Sequence, residues 1–244
     1  MKIMLRYTML LVILWLPIIA VANDCVNSLY CAVLGNEDAS MKYQEIIREA
    51  LQDFGVVEFN TVAVKKMSSL PKRLLGNSLI SFTMQGIWID EELLLECPEE
   101  EVVFTLYHEA AHYVKRHHAK LLLMVVPASV IFYGITHWPA SLLERKLKYK
   151  LLKVGLIGLL SGGALMALDR FLMRPLVREF EKDAELEAAR LLCRLHKQKI
   201  VSAHIDFLKS SLLDKSDNNT ESWWYSLADR IKFVSACLQE CVSQ

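Results

Sequence analysis

The chain has 244 residues, with 28 Lys and Arg set against 28 Asp and Glu, so its formal net charge is zero. That balance excludes the basic excess by which a nucleic-acid binder neutralises phosphates, and the length bounds the chain to one sizeable domain, alone or with membrane segments. Hydrophobic residues make up 53% and charged residues 23%, an apolar excess placed so unevenly that membrane segments account for it better than a larger core.

The first apolar block is "MKIMLRYTMLLVILWLPIIAVAND". Lys2 and Arg6 form a basic head, residues 9–19 an apolar run, and Ala20-Val21-Ala22 a small-residue cleavage pattern. Residues 1–22 therefore read as a secretory signal peptide, with an uncleaved N-terminal anchor as the competing reading. In "MKYQEIIREALQDF", apolar residues recur at three and four, which predicts a helix over 41–54 ended by Gly55. "VVEFNTVAVKK" is rich in β-branched residues and reads as a strand, and residues 79–90 as a strand pair or a strand broken at Gly86. The segment from Cys97 to Ala119 is the clearest helix. Pro98 suits the first helical position, Glu99 to Glu101 face the positive end of the macrodipole, and Lys115 and Arg116 the negative end.

Residues 121–138 and 154–168 contain no Asp, Glu, Lys or Arg. Each is just long enough to span a bilayer core of ~30 Å. Between them Arg145, Lys146, Lys148 and Lys150 face a single acid, Glu144, which suits a membrane hairpin with its basic tip in the cytoplasm. Ser161-Gly162-Gly163-Ala164 suits close helix contact within the hairpin. A pair of helices buried in a soluble core, or a hairpin that only dips into lipid, is the alternative. Beyond Pro175, helical patterns run through "LVREFEKDAELEAARLLCRLHKQK", "IVSAHIDFLKSSLL" and "WWYSLADRIKFVSACLQECV". The six cysteines (25, 31, 97, 193, 237 and 241) admit disulfides in an exported chain and equally admit buried free thiols.

The chemistry is concentrated at His108-Glu109-Ala110-Ala111-His112. On a helix, i and i+4 share a face, so two imidazoles there can bind one Zn²⁺ at ~2.0–2.1 Å. Glu109 lies beside that face, where a carboxylate can take a proton from a water held by the metal. The best third donor is Glu181, which shares a helix face with Glu185 and Ala188; Glu185 could then accept the free N–H of a ligand histidine. Glu179, Asp183 and Glu187 fall on other faces and read as solvated. His117 and His118, at the end of the same helix, read as capping residues. His196 and His204 read as surface or satisfied core histidines, and His137 as an interfacial one.

In several pieces the chain resembles the zinc metallopeptidase family of the HtpX heat-shock protease, the CAAX prenyl endopeptidase and the Oma-type mitochondrial protease. They are "SFTMQGIWIDEELL", then "LYHEAAHYVKRH", a hydrophobic hairpin, and "REFEKDAELEA", in that order. Glu185 departs from the aspartate usual there. The resemblance implies His108, His112 and Glu181 as ligands of one zinc per chain, Glu109 as general base and Glu185 as the acid supporting a ligand histidine. It also implies strand addition of an extended substrate to residues 79–90. Near the C-terminus it leaves Arg230 or Tyr225 to meet a substrate carbonyl or oxyanion.

The expectation is thus an α+β, mainly helical, zincin-like domain: an HExxH helix, a Glu-bearing helix and a small β-sheet. Residues 23–118 and 170–244 would form it, interrupted by a membrane hairpin at 119–169. Its work would be zinc-dependent hydrolysis of unfolded or membrane-associated polypeptides. The bilayer would be its partner, and the active site would lie on the periplasmic side of a bacterial inner membrane. The alternative is a catalytically silent membrane scaffold or chaperone-like protein that keeps the fold.

Overall fold

The computed structural model describes residues 36–67, 80–82, 86–117, 169–214 and 226–243, with a few positions between 119 and 127. The two charge-free runs and Tyr225 lie outside them, apart from those few positions. Among the described residues no helix is long and apolar enough to cross a membrane. The chain divides into two compact units, one of residues 1–45 and 58–97, the other of 46–57 and 98–244. The division falls within the first helix, α1 (Met41–Asp53).

In the first unit a 3₁₀ turn at Phe59–Thr61 precedes β1 (Ala63–Lys66), β2 (Ile80–Phe82) and β3 (Gly86–Ile89). The strand expected over the β-branched run is thus confined to its last four residues, and the 79–90 segment carries the strand pair β2 and β3, the second opening at Gly86. The sheet order is β1-β3-β2. β3 runs parallel to β1, Ala63 opposite Gly86, and antiparallel to β2, Ile80 opposite Ile89. All four β3 residues are buried, as befits the middle strand. Glycine is required at position 86 because a Cβ there would lie 2.7 Å from the Ala63 carbonyl oxygen. The outer edge of β1 is covered by residues 37–39, through bonds from Ala39 N to Val64 O (3.1 Å) and from Lys66 N to Glu37 O (2.7 Å). The edge left for strand addition, among the described residues, is therefore that of β2 and not of β3. Asp90 then caps the short α2 (Glu91–Leu95), accepting from Glu92 N at 3.2 Å.

The second unit is helical: α3 (Glu99–Val114), α4 (Arg174–Arg194), α5 (Gln198–Asp214) and α6 (Leu227–Val242). Pro98 stands at the N-cap of α3, one position before its expected place, where its missing N–H still costs nothing. The mutual core comes from Phe104, Leu106 and Tyr107 of α3, Leu192 of α4, Val201 and Ile205 of α5, and Val234 of α6. Ala184 and Ala188, on the Glu181 face of α4, have no exposed surface at all, so that face carries little side-chain bulk towards α3. The Tyr107 hydroxyl donates to Asp53 (2.6 Å), and Lys197 donates to Glu49 (2.6 Å) and to Tyr107 (3.2 Å), tying the end of α1 to this unit. Cys193 and Cys237 are buried free thiols, Cys241 is also free, and the Cys97 thiol donates to the Leu93 carbonyl at 3.5 Å.

Two helix ends use a non-glycine residue in the left-handed region, Arg116 (φ 53°) after α3 and His196 (φ 59°) after α4. After α4 the closing bonds run from His196 N to Cys193 O (3.0 Å) and from Lys197 N to Leu192 O (2.8 Å), a Schellman pattern. A side chain at that position crowds its own carbonyl, and glycine does not. His196→Gly is accordingly expected to raise unfolding stability by about 0.5–1 kcal/mol. Chemical denaturation checks this; a lowered midpoint would contradict it.

Candidate metal centre

His108 and His112 project from one face of α3, and α4 brings Glu181 against them. His108 Nε2 lies 3.1 Å from Glu181 Oε2, His112 Nε2 lies 3.3 Å from the same oxygen, and the two Nε2 atoms are 3.0 Å apart. Tetrahedral ligands at ~2.0–2.1 Å from zinc stand about 3.3 Å from one another, so the spacing fits one small ion. Two neutral imidazoles and a carboxylate also form a suitable donor set. Among the described residues this is the one cluster of His, Cys, Asp and Glu that could hold a metal. Burial disfavours a charged Glu181, but the bonds and charges of both histidines outweigh it and bring its pKa down to about 2. Glu181 is therefore ionised at neutral pH, the form in which it can ligate.

Glu109 behaves differently. Its Oε2 is buried and has no hydrogen-bond partner among the described residues. Burial raises its pKa to about 7, the nearby His112 opposing the shift and Glu181 adding to it. A carboxyl group poised there can both take up and release a proton near neutrality.

The surroundings of these residues depart from the sequence expectation. Glu185 does not support a ligand histidine. Both its oxygens accept from Arg230, through Nε (3.1 and 3.0 Å) and Nη2 (2.9 Å), and Oε1 also meets His204 Nε2 at 2.9 Å. Charge-assisted donors thus occupy both oxygens of this longer side chain. The other ring nitrogen of His204 meets Glu101 at 2.8 Å, and its ring stacks on Phe104. His204 is thus a satisfied core histidine. Arg230, expected near substrate, spends Nε and Nη2 on Glu185.

His117 and Asp183 are also corrected. His117 is no exposed cap: it is 2% exposed, with Nδ1 3.0 Å from His112 Nδ1 and Nε2 3.2 Å from Asp183. Burial, then the neighbouring His112, brings its pKa down to about 4, so it is neutral. Asp183, expected to be solvated, takes up that contact because the turn at Arg116 delivers His117 to it. Glu187 pairs with Lys115 at 3.1 Å.

A helix bearing His-Glu-x-x-His, closed by a glutamate from a second helix and carrying a buried carboxylate beside the first histidine, defines the metallopeptidase class. The model of peptidase family M48 matches residues 42–234, and the chain belongs to that family, which includes the HtpX, CAAX prenyl and Oma-type enzymes. Its metallopeptidases use zinc. Neither a curated protein nor a solved structure matches the chain.

Glu101, His204, Glu185 and Arg230 join all four helices of this unit in one buried network. Burial opposes a charged His204, but the hydrogen bonds and charges of Glu101 and Glu185 prevail and raise its pKa above the usual 6.5. Burial opposes a charged Glu185 too, yet His204 and Arg230 bring its pKa from 4.5 down to about 2. A raised histidine pKa stabilises the fold fully below 6.5 and loses that contribution as pH climbs through the folded value; a lowered carboxylate pKa stabilises it above 4.5 and loses that as pH falls towards 2. His204→Leu leaves two buried carboxylates without their shared donor and is expected to cost on the order of 3–5 kcal/mol. Denaturation curves across pH should show the loss largest between pH 4.5 and 6.5 and smaller on either side. A pH-independent loss would mean that only packing had been removed.

Proposed function

We propose that this chain is a zinc endopeptidase that hydrolyses peptide bonds of unfolded or membrane-associated polypeptides. The observation that carries the proposal is the convergence of His108 Nε2, His112 Nε2 and Glu181 Oε2 within hydrogen-bonding distance, with the unpartnered Glu109 carboxyl beside them. We assign the first three as the ligands of one zinc per chain. When bound, zinc supplies Lewis acidity to the scissile carbonyl and to the attacking water. Glu109 accepts the proton of that water and delivers it to the leaving amine. Arg230, with two nitrogens on Glu185, is assigned to positioning α4 in place of contact with the reacting carbonyl. An extended substrate strand adding to the β2 edge would give the tolerance of sequence that unfolded substrates require.

The membrane setting is part of the same reading. Residues 119–169 are assigned to a hairpin in the bilayer, with the metal centre on the periplasmic side of a bacterial inner membrane. The charge-free runs and their basic tip support this, as do Leu123, Met124 and Phe171, large apolar side chains exposed near the two ends of the segment.

Detergent-purified protein should carry about one zinc per chain by elemental analysis, and Glu181→Ala should lose it or bind it far more weakly. Glu109→Gln should keep the metal while cleavage of an unfolded protein falls by about 10²–10⁴-fold. Unchanged cleavage in that variant would rule out Glu109 as the base; zinc without cleavage in the wild type would favour the scaffold. A reporter enzyme active only outside the cytoplasm, fused after Lys150, is expected to be silent. Activity there would reverse the orientation.

A further inference from the structure

His117 is not called for by a donor set of two histidines and a glutamate, yet it is among the most completely buried side chains of the second unit. On an uninterrupted helix the fifth residue after His112 would stand about 140° around the axis, with no means of reaching that ring. The helix is interrupted. α3 stops at Val114, and Arg116, in the left-handed region at φ 53°, folds the chain back so that His117 lies against His112. The same α4 turn that provides Glu181 provides two supports for His117. Phe180 stacks on its ring (centroids 4.6 Å apart, planes 6° apart), and Asp183 Oδ2 lies 3.2 Å from its Nε2.

One direction of these hydrogen bonds suits a ligating His112. An ionised carboxylate can only accept, so His117 Nε2 carries a hydrogen and donates to Asp183. A histidine that ligates through Nε2 carries its hydrogen on Nδ1, and His117 Nδ1, bare in this tautomer, accepts it across 3.0 Å. That leaves the lone pair of His112 on Nε2, the nitrogen facing His108 and Glu181. We propose that His117 is a positioning residue of the metal centre, which holds His112 in the one tautomer and ring orientation able to ligate. This rests on the assignment of His112 as a ligand. It also places the support of the ligand histidine on α3's own continuation, in the role the sequence had suggested for Glu185.

The test is zinc affinity of the detergent-purified full chain, by competition with a chromogenic chelator, beside the unfolding midpoint of each metal-free protein. His117→Phe keeps a flat ring for Phe180 and removes the acceptor; zinc should bind about 10–100-fold more weakly. His117→Asn puts an amide oxygen near the place of Nδ1 and should recover most of that loss, although it packs less well. Asp183 is nearly half exposed, so Asp183→Leu should fold normally; it frees His117 to take the other tautomer and should weaken zinc several-fold. This variant decides the matter should His117→Phe fail to fold. Wild-type affinity in His117→Phe or in Asp183→Leu overturns the proposal, as does an asparagine variant that binds zinc no better than the phenylalanine variant. A wild type that binds no zinc overturns the ligand assignment itself, and with it the role of His117, an outcome distinct from the others.

Discussion

The metal centre depends on how closely α3 and α4 approach. A carboxylate on one helix reaches two imidazoles on another only when the backbones are near, and the side chains at the contact set that distance. Here the Glu181 face of α4 is lined by alanines, Ala184 and Ala188, each without exposed surface. Their small volume adds little apolar burial. The stabilisation comes from the larger residues on either side, Phe104, Leu106 and Leu192, and from the buried polar network. Packing and site are thus one arrangement, since any residue that widened the crossing would draw Glu181 away from both histidines.

Within that crossing, α4 uses three acids for three purposes. Glu181 faces the two histidines of the motif, Asp183 holds the ring of His117, and Glu185 binds Arg230 and His204. They differ in environment more than in chemistry. Asp183 is half-exposed and limited to partners that reach the surface of the helix, and the other two are enclosed. A buried carboxylate remains ionised only where its neighbours compensate for lost water: Arg230 and His204 do so for Glu185, and Glu181 faces the two histidines with which it would share a metal. Glu109 Oε2 has no hydrogen-bond partner among the described residues, and burial raises the pKa of that carboxyl.

The parts legible in the sequence are those set by local periodicity. The 3.6-residue repeat located α1, α3, α4, α5 and α6 to within a few residues, and the spacing of His108 and His112 placed both on one face. A strand pair was legible in residues 79–90, and Gly86 opens its second strand, where the close approach of the Ala63 carbonyl demands glycine. Glu181 was legible because it shares a helix face with Glu185 and Ala188. The role of His117 was not. It depends on a left-handed residue at position 116, and arginine carries no signal of that conformation where glycine or asparagine would have. Nor could the partners of Glu185 be read, since His204 and Arg230 come from two other helices and are brought together only by the packed core.

The charges separate the two halves of this interior. Glu101 and Glu185 are set against Arg230 and against His204, whose protonated form both carboxylates favour, so that cluster is compensated by its own members and ties four helices together. The group around Glu181 is different. His108 and His112 must be neutral to offer lone pairs and His117 is neutral, which leaves the carboxyl groups of Glu181 and Glu109 with no cation among these residues to balance them. The residual negative charge lies where three donor atoms converge. A dication answers that charge and a proton on Glu109 answers part of it, so the carboxyl's protonation is coupled to whatever occupies the centre. The fold is therefore secured by the cluster that balances itself, and the imbalance is kept beside it, where the chemistry needs it.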